Sequence, residues 1–111
     1  MLSPEQQERY ARHLLLEEFG GEGQERLLQA SVRVEGTGAA ARWAARYLAA
    51  SGVGRLDVDP AFAQECIALG PWLSLGGGCA VTLAPAERAT PEESAMSGAA
   101  AALALLRSLA C

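Results

Sequence analysis

The sequence predicts an α/β fold built on a mostly parallel sheet of about three strands. Two observations point to it. Helical and short-strand patterns alternate along the chain, as in a sheet whose strands are joined by crossover helices, and one strand feeds through the glycine turn Gly36-Thr37-Gly38 straight into an alanine-rich helix. With no internal repeat and no evident linker, the 111 residues read as one small domain.

Each element has a local reason. Ser3 is a good N-cap, with Pro4 at the first helical position and Gln6 three residues after the cap, which predicts a helix from Pro4 to about Glu17. Gly20 and Gly21 are expected to end it, and a second helix is expected over Glu22 to Gln29. In the strand Val32 to Glu35, Val32 and Val34 share one face and Arg33 and Glu35 the other. A helix from about Ala39 to Ser51 stops at Gly52. Arg55 to Asp59 reads as a second strand, and Asp59-Pro60 opens a short helix to Leu69. Gly76, Gly77 and Gly78 form a loop before a third strand, Cys79 to Leu83, and Pro85 to Glu93 reads as a polar connection. Ser94 is the expected cap of a last helix, about Ala95 to Leu109. Its apolar residues run nearly all round, which predicts burial on more than one side.

Half of the residues are apolar and a fifth are charged, a globular composition. Much of the apolar share is alanine, which buries little area. The core should therefore be thin, with Trp43, Tyr47, Phe62 and Trp72 supplying much of its packing and a further buried interface expected. A formal charge of −4 and dispersed arginines argue against a nucleic-acid partner. Cys66, Cys79 and Cys111 are an odd, widely spaced set with no CxxC pair, which suits neither a disulfide framework nor a zinc site and predicts a reduced, cytoplasmic protein without a metal. Met1 to Gln7 is polar, so no signal peptide is expected. The longest apolar run, Gly98 to Leu106, is too short to span a bilayer, and no membrane association is expected.

Residues 2 to 59, LSPEQQERYARHLLLEEFGGEGQERLLQASVRVEGTGAAARWAARYLAASGVGRLDVD, resemble the opening of the ThiF/MoeB/HesA family. Members of that family, related to ubiquitin-activating enzymes, use ATP to adenylate the C-terminal carboxylate of a small carrier protein, on chains usually much longer than this one. The resemblance implies a small Rossmann-like three-layer domain, with a helical extension over residues 1–30 and a core over residues 31–111. It also implies that the last helix matches the alanine- and leucine-rich helix late in the family's adenylation domain. On that reading the chain keeps both ends of the domain and lacks its middle.

The glycine turn is where the family holds its nucleotide. Gly36 and Gly38 let the backbone approach a phosphate, and the helix that follows offers free N–H groups and the positive end of its dipole. In the full GxGGxG pattern two further positions would be glycine; here they are Ala39 and Ala41. The turn reads either as retained phosphate binding or as a tight strand-to-helix connection that packs small residues. Glu35, just before it, would repel phosphates, and pairing with Arg33 is its structural alternative. Asp59 stands where the family's second strand ends in a ribose-binding acid. Asp57 competes for that match, and Asp59 before Pro60 is equally a helix cap. Glu8-Arg9-Tyr10-Ala11-Arg12-His13 matches the family's ERYxRQ-like run except at His13. The resemblance makes Arg12 an arginine that reaches across a dimer to the other subunit's phosphates, a task suited to a forked, permanently charged guanidinium; the alternative is a solvated arginine on an amphipathic helix. His13 reads as a surface residue.

What the sequence lacks bears on chemistry. Active members follow the ribose acid with an Asn/Arg segment, a lysine on the phosphates and a magnesium-holding aspartate. This chain has no lysine, and between Asp59 and Glu87 its only acidic residue is Glu65. No catalytic residue is therefore expected. The reading is a degenerate, non-catalytic domain that acts as a dimerisation or partner-subunit scaffold, as a homodimer or paired with a full-length family member. The alternatives are an ATP-binding subunit of an adenylyltransferase acting on a ubiquitin-like or sulfur-carrier protein, or a nucleotide-sensing module. In both of these Gly36, Gly38, Asp59 and Arg12 would hold ATP.

Overall fold

A computed structural model describes residues 6, 17, 20–70 and 73–110. Arg12, His13, Trp72 and Cys111 lie outside the described residues; of the expected first helix only Gln6 and Glu17 are described, and both are helical. The elements are α1 (20–29), β1 (Ser31–Val34), α2 (Ala39–Ser51), β2 (Arg55–Asp57), α3 (Pro60–Leu69), β3 (Ser74–Leu75), β4 (Val81–Leu83) and α4 (Pro91–Ala110). Gly20 and Gly21, expected to end the first helix, are themselves helical and belong to α1, and Gly20 takes a left-handed φ of 64°, which a residue without a Cβ adopts readily.

The sheet is parallel throughout, in the order β3-β2-β1-β4, with Val32 between Leu56 and Val81 and Arg33 between Asp57 and Thr82. This is the α/β, Rossmann-like arrangement that the alternation predicts. It has four strands, the extra one being β3, and its order reverses between β1 and β4. Two residues show no periodicity, so β3 had no sequence signal. It is held instead by main-chain bonds from Ser74 N–H to the Gly54 carbonyl (2.9 Å) and from Gly76 N–H to the Leu56 carbonyl (3.1 Å). Gly76 (φ 138°) and Gly78 (φ 80°) then carry the chain from one edge of the sheet to the other. The expected third strand is β4, shortened to Val81–Leu83, and Cys79 precedes it with its Sγ donating to the Gly76 carbonyl at 3.6 Å.

Alternation along the strands decides where the core lies. Val32, Val34 and Leu56 are buried with Leu27, Leu48, Val53, Phe62, Cys66, Ala102 and Leu106 in one cluster, whereas Arg33, Arg55 and Thr82 are exposed. Among the described residues the helices that share this cluster cover one face of the sheet, and a second helical layer is not seen. Leu48, Leu56 and Leu106 are fully buried, each stabilising the fold by about 1.5–3 kcal/mol relative to exposure.

Helix α4 starts at Pro91, earlier than expected, with Thr90 Oγ1 accepting from Glu93 N–H at 3.1 Å. Ser94 is inside the helix, not its cap. Thr90 followed by Pro91 and Glu93 is the spacing of a capping box and was the signal available. Full burial of α4 runs along one stripe, Ser94, Gly98, Ala102, Leu106 and Ala110, with Ala99, Leu103, Leu105 and Leu109 partly buried against the core beside it, while Met96 is 70% exposed, so the helix is covered over a broad face but not all round. The stripe is mostly small because α4 lies close on α2: a Cβ at Gly98 would overlap the Ala40 carbonyl oxygen. At the other end Arg26 of α1 donates to the Ala110 carbonyl at 2.8 Å. No helix among the described residues is long and apolar enough to cross a membrane.

Candidate functional site

Ligands of open α/β sheets bind beyond the C-terminal ends of the strands, near the point where strand order reverses. Here the C-terminal ends of β1 and β2 border a cavity of about 390 Å³ lined by Arg33, Val34, Glu35, Gly36, Thr37, Asp57, Val58 and Asp59. Gly36 takes φ 111°, and a Cβ there would sit 3.3 Å from that of Ala41, so the turn that lifts the chain from β1 into α2 calls for glycine. Gly38 is the N-cap of α2 and provides no side-chain cap.

The cap arrives from the far side of the sequence. Glu87, on the loop after β4, accepts hydrogen bonds from Ala40 N–H at Oε1 (2.9 Å) and from Ala41 N–H at Oε2 (3.3 Å). Its carboxylate rests against Gly38 so closely that a Cβ there would lie 2.5–2.7 Å from the carboxyl atoms. An anion on the first free N–H groups of a helix, at the positive end of its dipole, is the arrangement by which such helices hold phosphate. In this protein the anion is part of the chain. The loop is secured by the first turns of α4: Ser94 Oγ accepts from Arg88 N–H at 2.7 Å, and Ser97 Oγ donates to the Ala86 carbonyl at 2.7 Å.

The other sequence-derived residues fall into place around this contact. Asp59 borders the cavity, but its Oδ1 accepts from Ala61 N–H at 2.9 Å and caps α3, with Pro60 in the first turn; strand β2 stops short of it at Asp57. Asp57 lies in register with Arg33, and their side chains approach to 4.0 Å, so Arg33 pairs across the sheet and not along its own strand with Glu35. Gly36, Asp57 and Asp59 are thus brought to one cavity, Gly38 is not among its lining residues, and Arg12 lies outside the described residues. The acids lining the cavity do not converge: no group of His, Cys, Asp and Glu among the described residues is placed to hold a metal ion. Sequence reasoning missed Glu87. A contact across 47 positions leaves no local pattern, and its one hint was an α2 N-terminus that lacks an Asp, Ser or Thr cap.

Beside the cavity, α2 and α3 are joined by a charged clasp. Arg42 Nε lies 2.8 Å from Glu65 Oε1 and Arg46 Nη1 lies 3.5 Å from the same oxygen, and the Arg46 guanidinium stacks 4.7 Å over the Trp43 ring. The hydrogen bond from Arg42 chiefly holds the Glu65 carboxyl below its ordinary range, with partial burial opposing it and the charges of Arg42 and Arg46 adding to it.

Comparison with known proteins places this geometry. Residues 10–59 match the model of the ThiF family. The chain is 56% identical over 50 residues to the adenylyltransferase and sulfurtransferase MOCS3-1 of Zea mays, a match covering 45% of this chain and 11% of that protein. It is 49% identical over 57 residues to the SAMP-activating enzyme E1 of Haloferax volcanii, covering 51% of this chain and 21% of that protein. It is also 49% identical over 55 residues to the heterocyst protein HesA of Trichormus variabilis, covering 50% of this chain and 21% of that protein. The matched segments thus span only 11% to 21% of these relatives' lengths. Its end is Asp59, so it holds β1, the glycine turn, α2 and β2 but not Glu87. Over residues 10–59, from within the N-terminal segment through the glycine turn to Asp59, this chain is similar to the ThiF family.

Proposed function

We propose that this chain is a non-catalytic module of the ThiF/MoeB type that works by association with a partner chain. The observation that carries the reading is the Glu87 carboxylate on Ala40 N–H and Ala41 N–H, because the amides that a nucleotide's phosphates would need are already satisfied. The surroundings support it. Glu35, Asp57 and Asp59 line the neighbouring cavity, the lining cation Arg33 pairs with Asp57, and the sequence contains no lysine. Positioning and charge neutralisation make up nearly all of phosphoryl-type catalysis, and this cleft supplies little of either.

Association is supported by the sheet. Parallel sheets are normally covered on both faces, whereas the face of Arg33, Arg55 and Thr82 is exposed. The partner we propose is a second copy or a longer family member whose own site does the chemistry. Arg12 is then the arginine reaching the partner's phosphates, and the small protein activated is ubiquitin-like or a sulfur carrier, a reading supported by relatives named as an activating enzyme and as an adenylyltransferase and sulfurtransferase.

A second reading, an ATP-binding subunit or nucleotide sensor, is favoured by the cavity that Gly36 and Asp59 border. Calorimetric titration with Mg·ATP separates the two, with sedimentation velocity on the same sample. The first reading expects no saturable heat at millimolar ATP together with a concentration-dependent shift to a dimer, alone or with the partner. Saturable ATP binding that is lost in Asp59→Ala, with pyrophosphate exchange in the presence of a carrier tail, would overturn it.

A further inference from the structure

We propose that the outward face of α4 is a docking surface for a second copy of this chain, with the two helices antiparallel and crossing at Ala100. The inference rests on the association reading above and names for it a surface and a partner, separate from the exposed sheet face. Helix α4 turns Ser94, Gly98, Ala102, Leu106 and Ala110 inward. At helical periodicity the opposite side carries Glu93, Met96, Ala100, Ala104 and Arg107, all exposed, Met96 most plainly at 70%. The outward face of a surface helix ordinarily bears charged side chains, yet no charged residue lies between Glu93 and Arg107. Charge is confined to the two ends, acidic in the first turn and basic in the last.

The spacing along this face is symmetric and its chemistry is complementary. Ala100 stands midway between Glu93 and Arg107 and also midway between Met96 and Ala104. In a two-fold pair every contact occurs twice, residue i on residue j and j on i. Antiparallel helices centred on Ala100 therefore set Glu93 of each copy against Arg107 of the other, and Met96 of each against Ala104 of the other, a long side chain over a short one. Alanine at the crossing lets the helix axes approach to about 8–10 Å. A parallel pair would instead set Glu93 on Glu93 and Arg107 on Arg107, like charge on like. Arg107 is already engaged within its own chain, and the five donors of a guanidinium let it serve a second carboxylate as well. The face is narrow, so the pair is reversible, dependent on protein concentration and, through its end charges, on salt.

Sedimentation velocity over a concentration series of the full chain tests this, with helix content from circular dichroism recorded on every variant. The wild-type chain should pass from monomer to dimer by submillimolar protein and shift back toward monomer in high salt. Ala100→Glu puts two carboxylates face to face at the crossing and should weaken the dimer at least about tenfold with helix content unchanged. Glu93→Arg and Arg107→Glu each bring like charges together and should each weaken it about three- to tenfold. Combining Glu93→Arg with Arg107→Glu exchanges the charges and should recover most of the affinity. Both substitutions oppose the dipole of α4, so a merely structural effect would add in the double variant rather than cancel. A dimer untouched by Ala100→Glu, or a double variant weaker than either single one, would overturn the proposal and leave association through another face standing. A wild-type chain that stays monomeric throughout would overturn it as well, and binding of a longer family member would then decide the association reading by itself.

Discussion

Gly98 of α4 rests on the carbonyl oxygen of Ala40 in α2, the residue whose N–H is held by Glu87. The two ends of one peptide residue thus receive the last helix and the loop before it. The helix that follows the glycine turn is fixed by partners that lie well beyond the matched segment 10–59.

Gly98→Ala should lower stability by about 1–3 kcal/mol, since the added methyl cannot be placed without separating α4 from α2. Thermal unfolding measures the loss. An unchanged midpoint would mean that the helices do not approach as closely as described.

Removing the cap should be milder. Glu87→Ala leaves two N–H groups of α2 to water and should cost about 0.5–2 kcal/mol by denaturant titration. An unchanged midpoint would mean that the carboxylate does not cap α2.

Asp59→Ala should also cost about 1 kcal/mol, because the Oδ1 bond to Ala61 N–H caps α3 whatever the cavity binds. Any ligand titration on this variant needs a melting curve beside it, so that loss of a fold element is not read as loss of a ribose contact.

Acid should weaken the α2–α3 clasp. Glu65 has a lowered pKa in the folded chain, owing first to its hydrogen bond with Arg42, so its contribution is present above the ordinary value of 4.5 and is lost as pH falls through the lower folded value. The side chains of Arg42 and Glu65 are 46% and 26% exposed, which keeps the contribution below about 1 kcal/mol. Glu65→Gln should flatten the part of the stability–pH curve below 4.5 and leave the curve's shape near neutrality unchanged.

Leu106→Ala should be the most damaging of these changes, at about 2–5 kcal/mol, because the side chain is fully buried among residues of the core that have few large neighbours to collapse into the space.

Much of the fold was legible because its signals are short-range. Gly52 ends α2 in a left-handed turn of φ 104°, Asp59 and Pro60 start α3, and Val32 and Val34 point to the core by simple alternation. Even the corrected start of α4 was written locally, in Thr90, Pro91 and Glu93. The sequence by itself determined a parallel α/β domain with a glycine turn at the head of a helix, because caps, turns and side-chain periods act within a few residues. Tertiary structure alone decided that β3 joins the sheet, that α4 lies against Ala40, and that Glu87 occupies the helix end. Those contacts join segments tens of residues apart, and their energies depend on where the packed core brings each segment, which no local pattern encodes.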